Sequence, residues 1–312
     1  MTDKGPKDTE QTLPFDKSKM AELLFQAKSM EKKACFVILG GLDVGAVLNI
    51  NRSVMVIGRD SDCDLVLRDY DISRRHAEIR REGSNNLVIR DLGSTNGIFI
   101  GGELVEEVTI GEGDKVLLGR QTVFKFVLMD ELEETCQKQI FESSIRDALT
   151  GIFNRKYFIE KISSDISFAK RHQIPLCLMI IDVDHFKKVN DNYGHNTGDY
   201  VLTQVAQIIN DSIRDDDIVA RYGGEEFVVI AQGIDFEGGK ALAERIRGRI
   251  EEAPLNALDT TGTELRVTIS IGVASISTEA KVDEDIMIST ADQNLYHAKE
   301  KGRNRVVASE IT

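Results

Sequence analysis

Two glutamates beside a glycine pair are the residues of this chain with the clearest capacity for chemistry. The sequence Gly-Gly-Glu-Glu at 223–226 separates two short apolar runs, 218–220 and 228–230. This pattern predicts a β-hairpin, because glycine adopts positive φ at both turn positions without penalty. Two carboxylates at the foot of a tight turn are costly unless a cation neutralises them. A divalent metal is the obvious candidate, since hard cations prefer oxygen ligands.

A second acidic pair, Asp182 and Asp184, follows the apolar run 176–181. The run reads as a central strand, and residues two apart lie on one face of a strand. If this strand neighbours the hairpin, Asp182 and Glu225 converge on one ion. The alternative is two separate, solvated strand ends, and the residues alone leave both interpretations open.

Length, charge and cysteine content narrow the class of protein. The chain has 312 residues, enough for two domains, and a net charge of −13. That charge argues against nonspecific binding to nucleic acid or to an anionic membrane. No apolar stretch approaches the roughly 18 residues that span a bilayer, and the N-terminus lacks a signal-peptide pattern. Four widely spaced cysteines suit a reducing compartment. We therefore expect a cytoplasmic protein with neither nucleic acid nor membrane as partner.

The composition and the apolar pattern of the sequence change three times along the chain. The chain begins with a polar tail, in which residues 17–33 predict a short amphipathic helix. Many short apolar segments separated by Gly, Asn and Asp follow, and they predict an all-β sandwich. A connecting helix and then alternating helices and strands predict an α/β domain. The predicted segments are 1–33, 34–128, 129–146 and 147–312. Within the last, we predict helices at 153–169, 199–213, 238–252 and 283–301, and strands at 176–183 and 265–274.

The connecting segment carries one apolar stripe. Leu128, Leu132, Cys136 and Ile140 recur every four residues. The stripe suits either a two-stranded coil between two protomers or packing on the chain's own domain, and about five turns of helix do not decide between them.

Three clusters in the predicted sandwich combine arginine with hydroxyl and amide donors, the chemistry of phosphate recognition. They are Gly58-Arg59, Ser73-Arg74-Arg75-His76 and Gly93-Ser94-Thr95-Asn96-Gly97. In this order they resemble a forkhead-associated (FHA) domain, a phosphothreonine-binding sandwich. The resemblance implies that Arg59 and Ser73 hold the phosphate, that Thr95 and Asn96 hold the peptide backbone, and that Arg74 adds a contact. His76 is interpreted as structural.

The last part of the chain resembles the GGDEF family of diguanylate cyclases. The resemblance rests on an ordered series of motifs: 147–151 (DALTG), 182–187 (DVDHFK), Asn190-Asp191, Gly194-His195, Gly198-Asp199, the hairpin, 270–274 (SIGVA), Ala291-Asp292, Leu295-Tyr296, Ala298-Lys299 and 302–304 (GRN). It implies a ferredoxin-like sheet related to the polymerase palm. It also implies condensation of two GTP into cyclic di-GMP with release of pyrophosphate.

The resemblance assigns roles to the acidic pairs and to nearby cations. Asp182 and Glu225, with the carbonyl of Val183, would hold Mg²⁺ or Mn²⁺ on the triphosphate. Glu226 would bind metal too, or help to deprotonate the attacking 3′-hydroxyl. The positive charge that the overall composition lacks would come from Lys187, Lys299 and Arg303, so that Lys299 counts with the three acids as catalytic.

Guanine recognition is implied at Asn190 and Asp199, where an amide and a carboxylate can pair with the edge of the base. Phe186 and His195 are further candidates for substrate contacts. His185 stands where the family often has phenylalanine, and we assign it no catalytic role.

A product-binding site is implied by Arg214-Asp215-Asp216-Asp217, with five residues between Asp217 and Gly223. This spacing matches the family's RxxD inhibitory site, and Arg245 on a later helix is the preferred third member over Arg247. As partners we expect GTP, cyclic di-GMP, a second copy of the chain, and a phosphothreonine peptide. That peptide is either a partner protein or the chain's own tail, which holds Thr9 and Thr12. The alternatives to a regulated cyclase are a non-catalytic cyclic di-GMP receptor and a phosphopeptide-dependent adaptor.

Overall fold

A computed structural model describes residues 32–67, 69–82, 86–257, 263–277 and 282–312. Nearly all of the predicted tail and its helix at 17–33 lie outside the described residues, as do both tail threonines. Within the described residues, no helix is long and apolar enough to cross a membrane.

The first half is a sandwich of two sheets. One sheet has the strand order β2-β1-β11-β10-β7-β8 and the other has the order β4-β3-β5-β6-β9. The strands are β1 (Lys33–Gly40), β2 (Val47–Asn49), β3 (Val54–Gly58), β4 (Leu65–Val66), β5 (Ala77–Glu82), β6 (Asn86–Asp91), β7 (Ile98–Ile100), β8 (Glu103–Val105), β9 (Glu107–Ile110), β10 (Lys115–Leu118) and β11 (Thr122–Met129).

Alternation of apolar and polar residues explains why these segments form half-buried strands. In β11, Thr122, Phe124 and Phe126 point inward while Val123 and Lys125 are partly exposed. The rings of Phe36 and Phe124 stack between β1 and β11 with centroids 5.4 Å apart. Both aromatic side chains are fully buried in the core between the sheets.

The connecting helix α1 (Glu131–Ile145) begins with a capping box, in which Asp130 and Glu133 satisfy each other's backbone N–H groups. One face of α1 packs on the sandwich. Gln137 donates a hydrogen bond to the carbonyl of Gly45, and Phe141 contacts the sandwich core. Leu132, Cys136 and Ile140 lie on exposed positions instead. Leu128, the first member of the predicted stripe, belongs to β11 and packs on the sandwich core.

The second half is an α/β domain around a six-stranded sheet with the order β12-β14-β15-β13-β18-β19. Its strands are β12 (Phe153–Asn154), β13 (Leu176–Val183), β14 (Ile218–Gly223), β15 (Glu226–Gln232), β18 (Ile269–Ile276) and β19 (Val306–Ile311), with a separate pair formed by β16 (Leu255–Asn256) and β17 (Glu264–Leu265). The helices are α2 (Arg155–His172), α3 (Phe186–Tyr193), α4 (His195–Asn210), α5 (Phe236–Glu252) and α6 (Glu284–Glu300).

The central strands β13 and β18 are buried along their whole length. They have helices on both faces, because one apolar core lies between the sheet and α4 with α5, and the other lies between the sheet and α2 with α6. This burial fixes the end of β13, so that the carboxylate of Asp182 emerges at a defined point of the sheet edge.

Candidate functional site

The turn of the hairpin between β14 and β15 lies one residue further along the chain than the sequence predicts. Gly223 pairs with Glu226, and the register shifts between Arg221 and Gly223. The two turn residues are therefore Gly224 and Glu225, and the prediction that both glycines adopt positive φ is wrong. Only Gly224 does so, at 48°. The shift arises because Tyr222 forms a bulge that moves the turn one residue along the chain.

Gly223 is not required by the hairpin backbone. A β-carbon added there would meet nothing within 4 Å, and its φ is not positive. The space beside this residue is open. A glycine that neither the turn nor the packing requires suits a position where a ligand approaches the backbone closely.

Asp182 and the glutamate pair lie on neighbouring strands, which is the first of the two arrangements that the sequence left open. Asp182 of β13 pairs in register with Glu226 of β15, and the Val183 amide donates a hydrogen bond to the Glu225 carbonyl at 3.3 Å. Lys299 of α6 places its Nζ 2.8 Å from Asp182 Oδ2. The last turn of α6 thus supplies a cation at the same point.

Burial raises the pKa of all three carboxyl groups. For Asp182, burial outweighs the opposing hydrogen bond from Lys299. For Glu225 and Glu226, burial is again the largest cause, and the neighbouring charge of Asp182 adds to it. Carboxylates that repel one another in this way favour binding of a cation.

The donor set fits a hard divalent cation that is shared with a substrate. Lys299 already occupies one side of Asp182 with positive charge. Among the described residues, no three His, Cys, Asp or Glu side chains surround a single point. Mg²⁺ is commonly held by one or two carboxylates together with substrate phosphates and water. The residues present therefore fit a metal that arrives with a triphosphate.

Asp184, which the sequence predicts on the same strand face as Asp182, uses its carboxylate in hydrogen bonds within the protein. It lies just beyond β13 and is buried. Its carboxylate accepts hydrogen bonds from Thr268, Ser270 and the backbone N–H of Asn304. Asp184 thus holds the turn that carries Arg303, whose φ is 63°. Its spacing from Asp182 gave no signal of this positioning role.

Arg221 is a second residue whose role the sequence analysis missed. Its guanidinium donates hydrogen bonds to the Gly224 carbonyl at 2.7 and 3.0 Å and to the Asp147 carboxylate at 3.2 Å. Asp147 also accepts hydrogen bonds from Thr150. Arg221 therefore ties the hairpin to the segment that follows α1.

The predicted guanine-reading residues cluster where α3 and α4 meet. A β-carbon at Gly198 would lie 1.9 Å from Asn190 Oδ1 and 3.2 Å from Phe186 Cζ, so a larger residue there would push the Asn190 side chain out of its present position. Asp199 follows directly and is exposed. The Asn190 side chain thus lies beside Gly198, and Asp199 is the next residue along the chain.

Three further predicted substrate residues are accessible to solvent. Lys187 and His195 are exposed, and Arg303 is partly exposed. His185 begins α3 with a left-handed φ of 57° and caps it with no side-chain hydrogen bond.

The RxxD residues form a compact turn before β14. The Arg214 backbone N–H donates to Asp217 Oδ2 at 3.0 Å. Burial raises the pKa of Asp217. Arg214, Asp217, Gln232 and Arg245 line one small groove. Arg247 points elsewhere, because Glu244, Glu251 and Asn304 hold its guanidinium.

The predicted phosphopeptide residues meet at one end of the sandwich. The Thr95 backbone N–H donates to Ser73 Oγ at 3.0 Å, and Asn96 Nδ2 donates to the Asp71 carbonyl at 2.8 Å. Arg59 is partly buried and its backbone N–H donates to the Ser73 carbonyl. Arg74 is exposed.

His76 is fully buried beneath this surface and supports it. Its Nδ1 accepts a hydrogen bond from the Ser73 N–H, and its Nε2 lies 3.1 Å from the Gly97 carbonyl. Burial lowers the pKa of the imidazole, which favours the neutral form that these partners require.

Comparison with known proteins agrees with this organisation. The family model for the diguanylate cyclase GGDEF domain matches residues 144–305, and the model for the FHA domain matches residues 55–119. The chain therefore belongs to the GGDEF diguanylate cyclase family and also carries an FHA domain.

Two curated relatives come from Escherichia coli K12. The probable diguanylate cyclase DgcT is 46% identical over 166 residues, covering 53% of this chain and 36% of DgcT. Diguanylate cyclase DosC is 39% identical over 177 residues, covering 55% of this chain and 38% of DosC. The chain thus spans little more than a third of the length of either relative.

Among solved structures, the coiled coil and GGDEF domain of DgcB from Caulobacter crescentus, in complex with c-di-GMP, matches with a TM-score of 0.54 and 30% identity. The match covers 57% of this chain and 93% of that one. Its likeness supports the α/β architecture described above.

Proposed function

We propose that the chain is a diguanylate cyclase that condenses two GTP molecules into cyclic di-GMP with release of pyrophosphate. The observation that carries this proposal is the pairing of Asp182 with Glu226 at a hairpin that keeps both glutamates, with Lys299 2.8 Å from Asp182. Phosphoryl transfer of this kind needs positioning and charge neutralisation more than covalent chemistry. The arrangement supplies both.

Asp182 and Glu225, with the carbonyl of Val183, would hold Mg²⁺ or Mn²⁺. When bound, the divalent cation neutralises charge on the triphosphate. Glu226 either shares that task or accepts the proton of the attacking 3′-hydroxyl, and its raised pKa, caused mainly by burial, suits a proton acceptor. Lys187, Lys299 and Arg303 place positive charge around the phosphates.

Asn190 and Asp199 select guanine in this proposal. A carboxylate accepts hydrogen bonds from the N1 and N2 groups of guanine, and the Asn190 amide donates to O6. Adenine does not offer this pattern. Gly198 supports the selection because any larger residue would displace Asn190.

The direct test is incubation of the full chain with GTP and Mg²⁺, followed by chromatography for a cyclic dinucleotide. Formation of cyclic di-GMP supports the enzyme. Binding of cyclic di-GMP without its formation would instead indicate a receptor acting through Arg214 and Asp217. Phosphopeptide binding with neither nucleotide activity would indicate an adaptor.

Product inhibition is proposed at Arg214, Asp217 and Arg245, which line one groove. Arg214→Ala should raise the cyclic di-GMP concentration that halves the initial rate by about tenfold or more, because a charge-assisted hydrogen bond is lost. Initial rates measured against added product check this. Arg266→Ala, at an exposed arginine that pairs with Glu264, is the matched control. Equal inhibition in both variants would contradict the assignment.

Regulation through the FHA domain is the last part of the proposal. Arg59 and Ser73 would bind a phosphothreonine, with Thr95, Asn96 and Arg74 contacting its peptide. One candidate ligand is the chain's own tail, which a tether would hold at roughly millimolar effective concentration. A phosphorylated partner protein is the other.

Peptides of residues 1–17 that carry phosphate on Thr9 or Thr12 should bind the full chain, while the unphosphorylated peptide should not. Fluorescence anisotropy of labelled peptides measures this. Arg59→Ala should abolish binding, and Arg52→Ala, at an exposed arginine of the same domain, should leave it intact. Absence of phosphate-dependent binding by these peptides would leave only the partner protein as ligand.

A further inference from the structure

The end of the FHA domain that carries the proposed phosphopeptide residues lies against the cyclase domain. Tyr70 stacks on Phe168 of α2, with ring centroids 3.7 Å apart and an interplanar angle of 24°. The Tyr70 hydroxyl is hydrogen-bonded to Lys161 Nζ at 3.3 Å and to the side-chain amide of Gln232. Beside it, Asp71 forms an ion pair with Arg171 at 2.8 Å. We call residues 69–71 the docking loop.

Phe168 owes its burial to this contact. It is only 9% exposed, yet it belongs to none of the apolar cores of the described residues. Its neighbours are the rings of Tyr70 and His172 and the guanidinium of Arg59, which lies 5.3 Å from the ring centroid. Without the FHA domain, α2 would expose a large aromatic side chain to water. This surface of α2 is therefore shaped for docking.

The docking loop shares atoms with the proposed peptide site. Asn96, which would hold the peptide backbone, donates a hydrogen bond from its side-chain amide to the Asp71 carbonyl. Arg59, which would hold the phosphate, lies over Phe168, and its buried Nε has no hydrogen-bond partner among the described residues. A phosphate held by Arg59 therefore competes with the contact between Arg59 and Phe168, and a peptide held by Asn96 would lie beside the backbone of the docking loop.

The charges of the interface also oppose a bound phosphate. Arg59, Asp69, Tyr70 and residues 214–217 line a single cleft of about 570 Å³ between the two domains. Three of these residues, 215–217, are consecutive aspartates, so that with Asp69 four carboxyl groups line the cleft, against three cations, Arg59, Lys161 and Arg214. A phosphothreonine brings up to about two further negative charges, and like charges repel in a cleft where they are poorly solvated.

We propose that docking of residues 69–71 on α2 and phosphothreonine binding at Arg59 exclude one another. A phosphorylated peptide thereby releases the FHA domain from the cyclase domain. The inference rests on the proposed phosphopeptide function and adds the mechanism by which that site acts. Because Arg214 and Asp217 line the same cleft, release also uncovers one side of the RxxD turn. Only undocked molecules bind the peptide, so the apparent Kd equals the Kd of the undocked state divided by the fraction of molecules that are undocked.

The test compares peptide affinity in chains whose docking is weakened outside the peptide site. The probe is a labelled peptide mixture with a central phosphothreonine between randomised residues, titrated against the full chain by fluorescence anisotropy. Phe168→Ala and Arg171→Glu should each bind the probe about tenfold more tightly than the parent chain. Asp71→Arg combined with Arg171→Glu restores opposite charges and should return the affinity toward the parent value. Arg52→Glu, which reverses an ion pair on a different part of the FHA domain, should have no effect.

Small-angle scattering gives a second measurement. The probe should enlarge the radius of gyration of the parent chain, and Phe168→Ala should be enlarged before any probe is added. Equal affinities in all variants, with binding intact, would overturn the exclusion while the phosphopeptide function stands. No binding by any variant would overturn both.

Discussion

Asp182→Asn is expected to lower the rate of cyclic di-GMP formation by about a thousandfold, with substrate and metal at saturating concentrations. The amide has the shape of the carboxylate but lacks the charge that would hold a divalent cation against the triphosphate. Glu225→Gln should have an effect of similar size, since this residue lies at the tip of the neighbouring hairpin, where its carbonyl accepts a hydrogen bond from the Val183 N–H. Chromatographic measurement of product over time gives the rates.

The fold should survive these substitutions. Asp182 lies at the end of β13, and its side chain bonds to Lys299 rather than to the core. Burial raises the pKa of both Asp182 and Glu225, so their charges already cost stability in the unliganded chain. The melting temperatures of the variants should therefore equal or exceed that of the parent chain.

Glu300→Gln is the matched control, because it removes one negative charge next to Lys299 at an exposed position of α6. It should keep near-parental activity. If Asp182→Asn or Glu225→Gln also kept near-parental activity, the assignment of the metal site would be wrong.

The buried strand and the hairpin could be predicted from sequence because each depends on a local pattern, whereas their adjacency was left open. Six apolar residues followed by Asp182 predict a buried strand, and a glycine-rich turn between two apolar runs predicts a hairpin. Once both belong to one sheet, register brings Asp182 beside Glu226. The exact turn residues could not be predicted, since the bulge at Tyr222 depends on how Arg221 bonds to Gly224 and Asp147.

Several helices and one strand begin or end at other residues than the sequence predicts. The helix predicted at 153–169 spans Arg155–His172, because Asn154 caps its start and Gln173 ends it in a left-handed conformation. The helix predicted from residue 199 begins at His195, and the short helix α3 before it was not predicted. The strand predicted at 265–274 is displaced to Ile269–Ile276.

Contacts between distant segments had no sequence signal. Tyr70 and Phe168 are ordinary aromatic residues in their own segments, and only the folded chain shows that they stack. Asp184 is a similar case. Its partners Thr268, Ser270 and Asn304 lie more than eighty residues away.

Turnover per protomer is expected to fall steeply as the enzyme is diluted through the dissociation constant of its dimer. Each cyclase domain would present one GTP, so a product with two-fold symmetry needs two sites that face each other. The exposed apolar face of α1 is the surface that we expect to join two copies. Leu132 is 63% exposed and Ile140 is 59% exposed, whereas the opposite face of α1 packs on the sandwich.

Leu132→Glu combined with Ile140→Glu should therefore shift the loss of activity to protein concentrations at least about tenfold higher, because apolar area buried between two helices is replaced by like charges. Initial rates over a dilution series, together with sedimentation, measure both activity and assembly. Val54→Glu, at an exposed valine of the FHA domain, is the control for replacing an exposed apolar side chain by a charged one. Cys136 lies on the same face of α1 and offers an independent probe, since mild oxidation should link two parent chains through it. Full activity in a chain that sedimentation shows to be monomeric would contradict the need for two facing sites.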